Sequence, residues 1–359
     1  MKKILILGPT INNNEICGGQ ITHIKYLLQA FSCSNCWDVT DFQSSLGLFN
    51  QESLFSKCYR FLIVLYKIFN TCKLYDLVHI NSTFDNRSFL RDCLIALVLK
   101  IRRVPFVFQF HGGKLGNVTL VNSQVFKFFV SNIFFTAREI LVLTPIQQSQ
   151  FEGVFGIEPL LIPNFLPYEP AFFKKKLVTK HINLLFLGRI DSKKGIYELI
   201  SSLKYFVDKP VKFHLTIAGD GPDRQNVERM VIDYKLSKYI TFLGHIENEV
   251  KISAYHSSDY FILPSYEEAF PYSILESLSY SVPVLATDVG AITSVVENGV
   301  NGFIIDLPTS ACIIKCLKVV LLSRSSYPEM SERSFESSLS YSLTAMNNSF
   351  SNIWRKALL

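Results

Sequence analysis

The 359-residue chain has no Asp-x-Asp pair, no Gly-x-x-x-x-Gly-Lys-Ser/Thr loop and no Gly-x-Ser-x-Gly elbow. The first absence removes the usual two-carboxylate clamp for a metal–nucleotide. The second argues against a P-loop nucleotidase, and the third against a hydrolase with a strained nucleophilic serine. No apolar run approaches the roughly 18 residues that a bilayer span requires, so an integral membrane protein is not expected. The opening Met1-Lys-Lys-Ile-Leu-Ile-Leu-Gly8 is too short in its apolar part for a secretory leader, and Pro9 and Asn12-Asn13-Asn14 follow at once. It reads as a buried first strand. The eight cysteines are scattered and form no disulfide framework. Cys33-Ser-Asn-Cys36 lacks the second pair or nearby histidine that a zinc site needs. Reduced thiols in the cytoplasm are the expectation. Charged residues make up 18% of the chain and the formal net charge is only +6. That excess leans to the first half. It suits an anionic ligand or an anionic membrane surface and is too small to argue for nucleic acid.

What the chain has in quantity is apolar mass: 48% hydrophobic residues, with 30 Phe and 16 Tyr. Short continuous apolar runs alternate with helical patterns. In the first half they are Lys3–Leu7, Leu77–Ile80, Phe106–Phe110 and Ile140–Leu143. In the second they are Asn183–Leu187, Phe213–Ala218, Ile240–Leu243, Tyr260–Leu263, Val284–Ala286 and Phe303–Ile305. Runs without polar alternation fit strands covered on both faces, hence parallel sheets. Two such sets predict an α/β protein of two doubly wound, Rossmann-like domains. The proline-rich Ile162-Pro-Asn-Phe-Leu-Pro-Tyr-Glu-Pro170 and the Lys174-Lys175-Lys176 run mark the linker. The expected domains are therefore 1–165 and 166–345, with a helix over 346–359, bearing Trp354, that returns to the first domain. Residues 53–73 form an aromatic, basic stretch of helix length with Lys57, Arg60 and Lys67 at helical spacing. It reads equally as a helix on an anionic membrane surface and as a core helix with a wet side.

The densest chemistry lies in Pro264-Ser-Tyr-Glu-Glu-Ala-Phe-Pro-Tyr-Ser-Ile-Leu-Glu276. Glu268 falls where a buried strand gives way to a loop, and Glu276 about two turns into the following helix. Pro271 suits the first turn of that helix. The amides of Tyr272 and Ser273, with Phe270 before them, then face the strand ends, where a helix N-terminus binds anions. One segment thus presents an acid for the reaction centre, donors for phosphate, and a second acid able to grip vicinal hydroxyls. In Phe186-Leu-Gly-Arg-Ile-Asp-Ser-Lys-Lys-Gly195, Gly188 turns the chain after a strand and Arg189 and Lys194 follow it. Two cations at a sheet edge suit a diphosphate leaving group, whose charge grows as its bond breaks. Ala218-Gly-Asp-Gly-Pro222 reads as a tight turn, as a nucleotide contact through Gly219 and Gly221, or as both. Leu243-Gly-His245 ends another strand and reads as a turn or as the wall of a base pocket. In the first half, Cys17-Gly-Gly-Gln20 resembles a glycine loop ahead of a helix, with Gly18 and Gly19 near phosphate or in a plain turn. Phe108-Gln-Phe-His-Gly-Gly113 places His111 at a strand end, where α/β sheets hold ligands. His79 also reads as ending a strand, but no glycine turn follows it, so it reads as structural or acceptor-side.

In this order, Gly188-Arg189, Lys194-Gly195, Gly219-Asp-Gly-Pro222, Pro264-Ser265, Glu268 with Glu276, Pro283-Val284, Asp288 and Asn301-Gly-Phe303 resemble the retaining glycosyltransferases of the GT-B fold. The family is GT4, also called glycosyl transferases group 1. The resemblance covers most of the chain and is strongest from Asn183 to Ile305. It implies two domains facing across a cleft, a nucleotide-sugar donor, a glycan or lipid-linked glycan acceptor, and neither metal nor cofactor. It also implies roles. Arg189 and Lys194 hold the donor diphosphate, Glu268 faces the transferred sugar, and Glu276 binds the ribose hydroxyls. Gly18, Gly19 and His111 close over the donor from the first domain. Its mechanism is a front-side displacement in which the leaving phosphate helps to deprotonate the acceptor.

Four departures stand out: Ala269 for the common glycine, Ser277 for alanine, Ser281 for glycine, and Ala291-Ile-Thr-Ser294 for Gly-Ile-Pro-Glu. The last removes a carboxylate beside the donor pocket and bears on sugar specificity. The leading expectation is a hexosyltransferase of bacterial surface polysaccharide assembly, cytoplasmic or peripheral on the inner membrane face. A nucleotide-sugar epimerase would instead form product without acceptor. A non-catalytic sugar-nucleotide-binding subunit of a transferase complex would bind without turnover.

Overall fold

In the computed structural model the described residues are 1–9, 18–44, 53–171, 181–209 and 212–359. Cys17, Asn12–Asn14 and the Lys174–Lys176 run lie outside them. The chain forms two units. One comprises Met1–Tyr168 with Leu343–Leu359, the other Glu169–Ser342.

The first unit runs β1 (Lys2–Gly8), α1 (Gly19–Phe31), β2 (Trp37–Gln43), α2 (Leu54–Thr71), β3 (Leu77–Ser82), α3 (Asn86–Arg102), β4 (Phe106–Phe110), α4 (Gln124–Phe134), β5 (Glu139–Val142), α5 (Pro145–Phe155) and β6 (Leu160–Leu161). Its strands lie in the order β2-β1-β3-β4-β5-β6. All pairs are parallel, with Ile4 opposite Leu77 and Val78 opposite Phe106. The second unit runs β7 (His181–Leu187), α6 (Ile196–Lys204), β8 (Lys212–Ala218), α7 (Arg224–Asp233), β9 (Ile240–Gly244), α8 (Asn248–His256), β10 (Tyr260–Leu263), α9 (Tyr272–Ser279), β11 (Val284–Thr287), β12 (Gly302–Ile305), α10 (Ser310–Leu322) and α11 (Tyr327–Ser338). Its parallel order is β12-β11-β10-β7-β8-β9. The last helix, α12 (Leu343–Leu358), belongs to the first unit.

The apolar runs are strands because helices cover both faces of each sheet, so no position is left for alternation. On one face of the first sheet an aromatic core fills the space under α3, α4 and α5. Phe84 stacks on Phe110 at 4.3 Å between centroids, and Phe134 meets Phe151 at 4.9 Å. On the other face α12 buries Trp354 completely. Trp354 lies 4.7 Å from the Phe31 ring, and its Nε1–H donates to His79 Nδ1 at 3.3 Å. His79 is the third residue of β3 rather than a strand end, and it is fully buried.

In a doubly wound sheet the carboxyl ends diverge where the strand order reverses, and ligands bind in that crevice. In the second unit the reversal falls between β7 and β10, because β8 and β9 extend one way and β11 and β12 the other. In the first unit it falls between β1 and β3.

Candidate functional site

The loops that leave β7 and β10 flank this reversal and are built against each other. Gly188 N–H donates to the Ala218 carbonyl at 3.0 Å, and Ile190 N–H to that of Asp220 at 2.9 Å. A Cβ on Gly219, whose φ is +132°, would stand 1.9 Å from the Gly188 oxygen, and one on Gly221 would stand 2.2 Å from that of Ile190. Both glycines are thus accounted for by the close approach of two backbone turns. Gly188 is different, since nothing lies within 4 Å of the Cβ it lacks. Asp191 caps the next turn by accepting from Lys193 N–H at 3.0 Å, and Asp223 accepts from Ser192 N–H at 2.6 Å. Tyr266 N–H reaches the Lys193 carbonyl at 2.8 Å. The two loops are therefore one backbone unit.

That unit brings Lys194 to Glu268, with Nζ 2.6 Å from Oε1. Ser265 Oγ donates to the same carboxylate oxygen at 2.8 Å. The Glu268 side chain is only 9% exposed, so a charged partner offsets the cost of taking it out of water. From behind, Ala291 N–H donates to the Ala269 carbonyl at 2.8 Å. Gly290, at φ +65°, lets the chain pass where a Cβ would meet the Glu268 oxygen at 2.3 Å. Arg189 is not drawn into the pair. Its side chain is half exposed, and its Nε lies 3.8 Å from Asp191 Oδ2.

Glu276 is the fifth residue of α9, little more than one turn from its start rather than two. Pro271 lies just outside the helix as an extended N-cap with ψ 127°. Glu276 is buried between Lys251 Nζ at 2.7 Å and the Tyr255 hydroxyl at 3.1 Å, both from α8. Neither partner was legible in the sequence, since the meeting of α8 with α9 is purely tertiary. Phe270 and Tyr272 are buried, Phe270 against the Tyr341 ring at 5.7 Å. Burial, and then the Glu276 charge, raise the Tyr272 phenol well above its usual range. Ser273, at the start of α9, is half-buried. Beside α8 runs an open groove of about 460 Å³ whose walls include Leu243, Thr216, Thr241, Val250 and Ser253. His245 turns to Glu247, 3.5 Å away.

The other expected residues belong to the first unit. Gly18 is the extended N-cap of α1 and makes no side-chain cap. A Cβ on Gly18 or Gly19 would meet no atom within 4 Å. His111 Nε2 lies 2.7 Å from Asn81 Oδ1. Because Asn81 Nδ2 donates to the Leu7 carbonyl at 3.3 Å, its oxygen faces His111 and the imidazole carries its proton on Nε2. His111 Nδ1 is then a lone-pair acceptor, buried and without a partner. The ring sits 4.4 Å from that of His23. Burial and the neighbouring His23 and His79 hold His111 well below the ordinary imidazole range, so it is neutral at pH 7.

Residues 168–336 match the model of the family described as Glycosyl transferases group 1. The second unit belongs to that family. The group 1 unit therefore carries Arg189, Lys194, Glu268 and Glu276, and the Lys194–Glu268 pair stands at its strand reversal. Among curated proteins, a putative teichuronic acid biosynthesis glycosyltransferase, TuaC of Bacillus subtilis (strain 168), is 24% identical over 209 residues. That match takes in 55% of this chain and 51% of TuaC, so the chain spans about half the length of this relative. Among solved structures, a sucrose-phosphate synthase from Thermosynechococcus elongatus superposes with a TM-score of 0.77 at 17% identity, covering 99% of both chains. Anabaena HepE, solved with UDP-glucose, gives a TM-score of 0.74 at 16% identity over 99% of this chain and all of its own. At such identities the shared property is the fold, that of GT-B proteins, which agrees with the two doubly wound units expected from sequence.

Proposed function

We propose that the protein is a retaining glycosyltransferase that moves a hexose from a nucleoside diphosphate donor to a hydroxyl of a lipid-linked glycan, in the assembly of a bacterial surface polysaccharide. The observation that carries this reading is the Lys194–Glu268 pair at the β7/β10 reversal, 2.6 Å apart in a backbone unit held rigid from three sides. A carboxylate that must stay ionised beside a sugar, and a cation that must meet a diphosphate, hold each other there until the donor arrives. Arg189, exposed and weakly engaged, is able to swing onto the same diphosphate and contact two oxygens at once. Glu276 exchanges Lys251 for the ribose hydroxyls, and Ser273 lies at the α9 N-terminus where amides meet phosphate oxygens. His111 Nδ1 accepts from a hydroxyl.

In the reaction, the bond between the anomeric carbon and the β-phosphate oxygen breaks as the acceptor oxygen bonds to that carbon on the same face. The acceptor proton passes to the departing phosphate. Lys194 and Arg189 take up the charge that grows on the leaving group, and Glu268 stabilises the cationic sugar. Two side-chain cations supply this charge without a metal ion, and no cofactor enters. The fold shared with a protein solved with UDP-glucose supports a sugar-nucleotide donor. The likeness to a teichuronic acid enzyme supports a polysaccharide product. No helix among the described residues is long and apolar enough to cross a membrane. A peripheral site on the inner membrane face is the proposed location.

The test offers the protein a panel of nucleotide sugars and follows thermal unfolding, since a ligand that binds only the folded state raises Tm. One of them should protect it, and turnover of that donor should need an acceptor and survive EDTA. Protection by none would remove the donor reading. Product without acceptor would indicate an epimerase.

A further inference from the structure

The layer of α2, α3 and α4 on the first sheet presents an outer surface unlike that of an ordinary solvated face. On α2, Phe55, Tyr59, Leu62 and Tyr66 are 83%, 60%, 61% and 70% exposed. Their spacing puts them on one stripe of the helix, while Ile68 turns inward to the core. On α4 and just past its end, Val125, Phe128 and Phe135 are 81%, 72% and 67% exposed. α3 packs between the two helices and ties them together. The Arg102 guanidinium lies 4.4 Å over the Phe69 ring of α2, and Lys100 Nζ donates to the Asn132 carbonyl of α4 at 3.1 Å. Scattered apolar residues on a surface need no explanation, but two exposed aromatic stripes on neighbouring helices of one layer are a concentration of the kind that marks an interaction site.

Within the three helices the exposed charge is of one sign, and Asp85, the exposed N-cap of α3, stands just outside them. α2 and α4 contain no carboxylate, yet carry Lys57, Arg60, Lys67 and Lys127. The one acid of α3, Asp92, is fully buried against Arg91, 2.7 Å away. A second copy of the chain would bring this cationic patch against itself across a two-fold axis, with like charges opposed. A spanning helix is excluded among the described residues. We propose that the α2–α3–α4 layer docks on an anionic lipid surface, with the aromatic stripes entering the headgroup boundary and the cations meeting lipid phosphates. This rests on the reading of a lipid-borne acceptor for its purpose, although lipid binding itself does not depend on sugar transfer. It widens the contact from α2 alone to a layer three helices across.

The experiment is co-sedimentation of the full chain with vesicles of phosphatidylcholine, with and without phosphatidylglycerol, at low and high salt. Binding is expected only with phosphatidylglycerol and should weaken as salt rises. The Y66S/F128S double variant, both positions exposed, should lower vesicle affinity at least about tenfold, because each aromatic contributes buried apolar area at the interface. Its urea midpoint should be unchanged, as should its thermal protection by the donor nucleotide. K57E/K67E should abolish the preference for anionic lipid. Equal binding to both vesicle types, or unaltered binding by both variants, would overturn the proposal. So would a concentration-dependent dimer that Y66S/F128S makes monomeric. Loss of donor protection in the unmodified protein would count against the catalytic reading alone.

Discussion

Acid should unfold the first unit well before ordinary carboxylates titrate, and three buried imidazoles are the reason. Burial lowers His23 to about 3, helped by the neighbouring His79, and burial lowers His79 to about 4. His111 is held well below 6.5 by the same causes. In the unfolded chain each histidine titrates near 6.5. Below that pH the unfolded state takes up protons that the folded state refuses. The stabilisation is therefore complete above pH 6.5 and is lost as pH falls toward the folded values. Each imidazole contributes a slope of about 1.4 kcal/mol per pH unit. Between pH 6.5 and 5, where the slope climbs from half its limit to nearly the whole of it, His23 and His79 together should cost about 3 kcal/mol, a large share of the stability of a typical domain. Asp76 and Asp85, both depressed by hydrogen bonds, lose their contribution only below about pH 4, the unfolded carboxylate range. Asp92, raised by burial, acts in the opposite sense. The chain has two tryptophans, and both lie beside this cluster. Trp37 and Trp354 have ring centroids 5.4 Å apart, so their fluorescence reports on the first unit. Urea titrations at pH 7, 6 and 5 should show the midpoint falling. His23→Gln should flatten that fall by about one proton's slope. A midpoint independent of pH over this range, or an unaltered slope in the variant, would refute the argument.

Lys194→Ala should weaken binding of the nucleoside diphosphate and lower kcat about 100-fold, as the loss of one charge-stabilising donor does elsewhere; equilibrium dialysis and initial rates check it. Gly290→Ala should cost about 1–3 kcal/mol and impair turnover, because the new Cβ would push the Glu268 and Ala269 carbonyls. Gly188→Ala, with space around it, should leave the urea midpoint alone and reduce donor affinity only. Ser281 follows α9 at φ +59° with its hydroxyl buried and unpartnered. Ser281→Gly should therefore raise stability by about 1 kcal/mol, the left-handed strain less the entropy of glycine.

The sequence made the sheets legible because most strands are short continuous apolar runs, and Phe106–Phe110 and Tyr260–Leu263 have the same bounds in the structure. It concealed β2, Trp37-Asp-Val-Thr-Asp-Phe-Gln43, since an edge strand with one face wet alternates instead. Two-residue β6 has no pattern to read. The Ser281 departure was visible only as an odd residue. The backbone there shows why glycine suits the position, at the left-handed end of a helix. The Lys194–Glu268 contact joins residues 74 apart in the chain, and the reversal of strand order that unites them is a property of topology. Lys251 and Tyr255 gave no signal, because a helix states which face is apolar and not which neighbour it will meet.

Helix α12 completes the unit with which the chain begins, so the group 1 unit is an insertion between two parts of one domain. On the ribosome, everything made up to Ser342 leaves His79 without its indole and α1 without the helix that packs beside it on that face of the first sheet. The group 1 unit, contiguous in sequence, is free to fold as it emerges, and the earlier-born half must wait for the later one. Premature termination near Tyr341 should accordingly harm the domain synthesised first.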